Sequence, residues 1–360
     1  MATQKRSRFG SVRRLPSGRY QARFTIPGSE KMVTAPTTFT TKGDAYTWLD
    51  TQRADIERGV WRPGPQSLTF GEYAERWHAE RDLRPRTAAH YRRTIDRFLL
   101  PAFGDVQLAA ITPEMVRSWF ARLETGPVYR QHAYALLRTI TRTAAEDGFI
   151  SASPCIIKGA GRMERSKDIT LPSLDELGVI VDNTPEQYRL MVLLAAWGGF
   201  RFGELAELRR KDVDMRKGVI HVRRAVSWVN GEPIVGPPKS RAGIRDVHIP
   251  PHLLPAVKEH LKDHAALELL FPSSTGRQLR SQEWWEIWQI ARDAARRQDL
   301  HFHHLRHLGA VLAAQSGATI KELMARLGHS TPDMAIHYQH VAADRDAVIA
   351  KRLSELAERG

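Results

Sequence analysis

A chain of 360 residues is long enough for two or three domains, each with its own core. Lys and Arg number 54 against 40 acidic residues, and the resulting formal charge of +14 points to a polyanionic partner, nucleic acid ahead of a membrane surface. No apolar run approaches the roughly 20 residues of a membrane span, no signal-peptide pattern follows Met1, and the single Cys155 excludes an internal disulfide and a cysteine zinc finger.

The basic excess begins at the N-terminus, where residues 1–25 carry seven Lys or Arg and no acidic side chain. In GRYQARFTI the alternation puts Tyr20, Ala22 and Phe24 on one strand face and Arg19, Gln21, Arg23 and Thr25 on the other. MVTAPTTFTT reads as further strand and KGDAYTWLDTQRADIERG as a helix, so residues 1–62 form a small sheet-plus-helix module. Its candidate nucleic-acid contacts are Arg13, Arg14, Arg19 and Arg23. The Pro/Gly cluster WRPGPQS marks a linker.

From Thr69 the period is helical. Thr69 and Glu72 make a capping box, RTAAHYRRTIDRFLL gives a second helix stopped by Pro101, Thr112-Pro113 starts a third, and a fourth ends at Gly148. These four helices make a compact domain over 67–155. A second linker, KGAGRMERSKDITLP, leads into residues 170–360. There Ser173 and Glu176 cap a helix, and PEQYRLMVLLAAW is apolar nearly all round and therefore buried. It stops at Gly198-Gly199, and RFGELAELRR restarts as a helix. GVIHVRRAVSWV, the hairpin signal Asn230-Gly231, EPIVGPPKS and IRDVHIP then predict a three-stranded antiparallel sheet, and everything after Ser281 is helical again. The fold class is α+β, mainly α.

Four places in the last 190 residues could carry chemistry. Arg201 with Glu204 sits where the buried helix breaks, and a structural ion pair explains it as well as a site does. Lys239 lies in a turn between strands, where a solvated charge is the ordinary reading. In HFHHLRH, His303 and Arg306 share a helix face, and His303 with His307 could instead ligate a metal, though no HExxH or CxxC supports one. Finally Gly328 ends a helix, His329 follows in the turn, and Tyr338 stands nine residues on. Taken together, Arg, Lys, His-x-x-Arg, His and Tyr suit transfer of a phosphodiester to a tyrosine hydroxyl. Arginines bind the non-bridging oxygens, a histidine takes the phenolic proton, a lysine protonates the leaving oxygen, and no metal or other cofactor is needed.

That constellation resembles the tyrosine recombinases, the phage-integrase family. GGFRFGEL resembles the motif of its first arginine and carries Arg201 onto a catalytic position. PPKSRAGIRDVHIP does the same for Lys239, HHLRH for His303 and Arg306, LGHS for His329, and IHYQH for the nucleophile Tyr338. Leu308 stands where the family more often has Thr. The resemblance covers residues 170–345, while 67–155 looks like the family's core-type DNA-binding domain and 1–62 like an arm-type one. It implies a DNA integrase of the lambda type working through a 3′-phosphotyrosyl bond. The implied partners are double-stranded DNA at core and arm attachment sites, a homotetramer on that DNA, a host DNA-bending protein and an excision factor. The implied place is the cytoplasm of a bacterial host, at the nucleoid. A Xer-type resolvase, a type IB topoisomerase and a non-enzymatic DNA-binding protein are the rival readings. After the nucleophile, Ile349, Leu353 and Leu356 lie on one face of an expected C-terminal docking helix.

Overall fold

A computed structural model describes residues 9–28, 32–35, 37–58, 68–161, 170–263 and 267–332, together with Ile336, Ala350, Ser354, Ala357 and Glu358. The chain divides into two compact units, Met1–Arg165 and Ser166–Gly360. Tyr338 and most of the expected C-terminal helix lie outside the described residues.

In the first unit, strands β1 (Ser11–Arg14), β2 (Tyr20–Thr25) and β3 (Met32–Thr34) form an antiparallel sheet in the order β1-β2-β3. Helix α1 (Lys42–Glu57) starts at Thr41, whose hydroxyl accepts from the Asp44 amide. Ala22 and Phe24 on one strand face meet Ala45 and Leu49 of the helix, and all four are buried. The opposite face carries Arg13 paired with Gln21 and Ser11 paired with Arg23.

A separate core holds helices α2 (Phe70–Ala79), α3 (Pro85–Thr94), α4 (Leu100–Phe103), α5 (Pro113–Arg122) and α6 (Pro127–Glu146). Tyr73, Tyr134, Phe70 and Phe103 are its largest fully buried side chains, each stabilising the fold by about 2 kcal/mol through area removed from water. The capping box of Thr69 and Glu72 forms as expected. Pro101, however, does not stop its helix. Ile95–Leu99 widens into a π turn, with the Leu100 amide bonding back five residues to Ile95, and the chain continues helically to Phe103. The wider turn relieves the clash a proline ring makes with the carbonyl four residues before it.

The second unit begins with α7 (Leu174–Asp182), capped reciprocally by Ser173 and Glu176, and α8 (Glu186–Gly198). Helix α8 is apolar nearly all round because α7, α10 (Leu254–Asp263) and α12 (His303–Gln315) pack around it. Helix α9 is only one turn, Phe202–Leu205, shorter than the ten residues expected. Its continuation leaves the helix because Leu208 and Arg210 exchange backbone hydrogen bonds with Glu268 and Leu270. The strands also regroup. β4 (Val213–Asp214), β5 (Val219–Val222) and β8 (Arg245–His248) form the three-stranded antiparallel sheet. β6 (Ala225–Val229) and β7 (Glu232–Gly236) form a separate hairpin around Asn230-Gly231. The expected strand GVIHVRRAVSWV is thus two strands, parted at Arg223 and Arg224. Helices α11 (Ser281–Ala294) and α13 (Ile320–Leu327) complete the unit. Among the described residues no helix is long and apolar enough to cross a membrane.

Candidate active site

The buried helix α8 ends on Gly199, whose backbone is left-handed (φ 66°), a conformation that costs any other L-residue energy. That turn releases Arg201, which starts α9. Its amide donates to Oε2 of Glu204 at 2.9 Å, and its Nη1 donates to Oε1 at 2.8 Å. Glu204 is 3 % exposed. Its two oxygens also receive Nη1 and Nη2 of Arg245 at 3.0 and 2.9 Å, a two-pronged bond in the interior. Burial works to raise the Glu204 carboxyl, but the bonds and charge of Arg245, followed by those of Arg201, outweigh it and hold the group below its ordinary range.

Helix α13 also ends on a left-handed glycine, Gly328 (φ 68°), introduced by the capping box of Thr319 and Glu322. A helix C-terminus leaves carbonyls without helical partners. Here three in succession accept from three arginines. Arg245 Nε donates to Arg326 O at 2.7 Å, Arg306 Nη2 to Leu327 O, and Arg201 Nη2 to Gly328 O at 3.2 Å. Arg306 also donates through Nη1 to the carbonyl of Gly199, so both glycine turns hold it. The same Nη2 lies 3.0 Å from Nε2 of His329. A guanidinium has no acceptor, so Nε2 must accept, which puts the imidazole proton on Nδ1.

The structure therefore brings Arg201, Arg306 and His329 together. His303 joins them from the first turn of α12. Burial, followed by the charges of His307, Arg306 and Arg201, pushes its imidazole down to about 4. The residue as a whole still reaches the surface. His329 is likewise pushed down to about 4 by burial, then by Arg306, Arg201, Arg245 and His307. Both rings are neutral at pH 7. The histidines stack edge to face, His303 on His307 with centroids 4.9 Å apart. Among the described residues no group of three or more His, Cys, Asp or Glu could hold a metal ion.

Lys239 stands apart. It is exposed in the loop after β7 and forms no hydrogen bond or ion pair with a described residue, while its neighbours Ala242 and Gly243 pack against Gly328. Tyr338 lies outside the described residues. In the N-terminal module, Arg13 Nε donates to Gln21 Oε1 at 2.8 Å and Arg23 Nε to Ser11 Oγ at 3.1 Å, across one open sheet face. Arg19, level with that face, donates through Nε to Thr38 Oγ1 at 2.7 Å. Arg14 pairs with Tyr20 and falls on the opposite face. Arg245 was not among the residues singled out from sequence. The clue lay in IRDVHIP, where period two places Arg245 on the same face as the buried Val247.

Three family models match the chain: the phage integrase family over residues 171–345, the phage integrase N-terminal domain over 8–58, and its N-terminal SAM-like domain over 69–123. The chain is 46% identical to the prophage phiRv2 integrase of Mycobacterium tuberculosis over 99% of its own length and 97% of the relative's. The chain belongs to the phage integrase family. As a member it is a site-specific tyrosine recombinase, an enzyme that transfers DNA strands. Integrase structures share its mainly helical fold. The Tn1549 transposon integrase in complex with a circular intermediate DNA superposes with a TM-score of 0.67 at 17% identity, over 80% of this chain and 100% of the other. A lambda integrase tetramer bound to a Holliday junction gives 0.56 at 19%, over 91% and 97%.

Proposed function

We propose that this integrase family member inserts and excises DNA at specific attachment sites by forming a 3′-phosphotyrosyl bond on Tyr338. The observation that carries the proposal is the cradle at the end of α13, where Arg201 on Gly328 O and Arg306 on Leu327 O and His329 stand side by side, with Glu204, bonded by Arg201 and Arg245, as an internal carboxylate. Such an excess of positive charge suits a scissile phosphate. The two guanidiniums bind its non-bridging oxygens and stabilise the charge that grows in the pentacoordinate transition state. His329 joins that cradle. His303, neutral at pH 7, takes the proton of the Tyr338 hydroxyl as its oxygen bonds to phosphorus. The bond from phosphorus to the 5′-oxygen breaks, and Lys239 protonates the leaving oxygen. A 5′-hydroxyl from a partner strand reverses the sequence, so religation needs no nucleotide cofactor. Guanidinium and ammonium groups supply the positive charge, the neutral imidazoles accept protons and hydrogen bonds, and no step calls for a metal.

In this reading residues 1–62 bind arm-type sites, with Arg13, Arg14, Arg19 and Arg23 as the DNA contacts. Residues 67–155 bind the core site, and residues 170–360 cut and rejoin it. Double-stranded DNA is the substrate, and a homotetramer on that DNA is the assembly, the form in which a lambda integrase of the same fold is seen on a Holliday junction. A host DNA-bending protein and an excision factor complete the set of partners, in the cytoplasm of a bacterial host at the nucleoid.

The experiment is covalent trapping on nicked core-site DNA. The wild-type chain should accumulate a protein–DNA adduct, and Tyr338→Phe should form none while binding the site with nearly unchanged affinity. An adduct surviving in the Phe variant would overturn the assignment of the nucleophile.

A further inference from the structure

The residue that organises the cradle is one that cannot reach DNA. Arg245 keeps 4% of its side chain exposed. Its guanidinium is spent on protein groups: Nη1 and Nη2 on Glu204, Nη1 also on Gly243 O at 3.2 Å, and Nε on Arg326 O. Through these bonds strand β8 is tied to α9 on one side and to the last turn of α13 on the other.

Each tie acts on a neighbour. Each Glu204 oxygen is shared, Oε1 between Nη1 of Arg201 and Nη1 of Arg245, and Oε2 between the Arg201 amide and Nη2 of Arg245. With Arg245 taking one bond on each oxygen, Arg201 meets the carboxylate through a single guanidinium nitrogen and keeps Nη2 on Gly328 O. The other tie fixes Arg326 O, and the next two carbonyls along the chain are those that hold Arg306 and Arg201. We propose that Arg245 is a positioning residue of the strand-cleavage centre, setting the separation of Arg201 from Arg306 and His329 without touching DNA. The inference rests on reading Arg201 and Arg306 as the phosphate ligands.

The test uses full-length wild type, Arg245→Lys and Arg245→Gln on nicked core-site DNA. The scissile link is either a phosphodiester or a methylphosphonate, whose missing charge removes the need for two well-placed guanidiniums. Lysine keeps the charge but cannot bond both Glu204 oxygens in a fork. Expected for Arg245→Lys are a melting temperature and DNA affinity close to wild type and cleavage of the phosphodiester slowed by up to roughly 100-fold. The deficit should shrink several-fold on the methylphosphonate, with Arg245→Gln at least as slow as lysine. Equal deficits on both substrates would make Arg245 a purely structural residue and overturn the inference, as would an undiminished rate or loss of cooperative folding in both variants. No cleavage by wild type would strike at the function itself and take this inference with it. Cleavage by wild type and undiminished cleavage by the variants would overturn the inference alone.

Discussion

The main-chain carbonyl of Gly199 accepts a hydrogen bond from Nη1 of Arg306, 107 residues further along the chain. The turn that ends one helix thus holds a side chain from another, and its shape depends on a left-handed residue. In Gly199→Ala a Cβ would strain that conformation and stand 2.4 Å from Cδ2 of Leu327, whose own carbonyl holds the same arginine. Leu327 can swing aside, so the backbone strain dominates, and stability should fall by about 1–2 kcal/mol. Adduct formation should slow as Arg306 shifts. Urea denaturation and adduct trapping check the two halves, and an unchanged midpoint would remove the strain argument.

Acid should loosen the catalytic unit. The unfolded chain binds protons on His303 and His329 near the ordinary 6.5, whereas the folded rings hold out to about 4. Between those values the unfolded state carries more protons, so stability is fully present above about pH 6.5 and is lost as pH falls towards 4. The melting temperature should drop between pH 7 and pH 5, and less steeply in His329→Asn. A wild-type protein that melts higher at pH 5 would contradict the sign.

Chelation should leave cleavage intact. The charge on the transition state is met here by guanidinium and ammonium groups, so excess EDTA should not change the adduct rate. If EDTA stopped cleavage and added zinc or magnesium restored it, the histidines of α12 would have to be reread as ligands.

Removing residues 1–62 should spare cleavage of a core site and depress recombination between full attachment sites. Arm-site binding by the intact protein should fall steeply with salt, since the Arg13 and Arg23 face is read as meeting phosphates there. Full integrative activity without the module would favour a Xer-type resolvase.

Capping boxes and the two helix-ending glycines were legible in the sequence because each rests on short-range chemistry: a hydroxyl reaching an amide three residues on, or a left-handed turn. Arg201, His303, Arg306 and His329 were picked out only by their resemblance, as a set, to a family's motifs. The pairing of strands was not legible. Val213–Asp214 joins the sheet through contacts no local pattern announces, and the Arg223-Arg224 break looks like ordinary strand. The helix of RFGELAELRR is cut short by a backbone pairing with Glu268 and Leu270, some 60 residues distant. Pro101 has a local rule that a π turn overrides. Arg245 was hidden for a related reason, since its partners Glu204 and Arg326 are brought to it only by the tertiary fold.

The three carbonyls at the end of α13 belong to Arg326, Leu327 and Gly328, and the side chains of the first two are engaged elsewhere. Arg326 donates to the carbonyl of Trp197, and Leu327 is buried beside Ala310 and Val311. The grip on the arginines is therefore written in peptide groups, which a side-chain scan leaves in place. Alanine at 326 would report on the bond to Trp197 and alanine at 327 on packing, and both would pass over the contact that matters. What heredity must keep here is a path of the backbone, and among these three positions only Gly328, with its left-handed turn against Ala242 and Gly243, makes that path visible as a letter in the sequence.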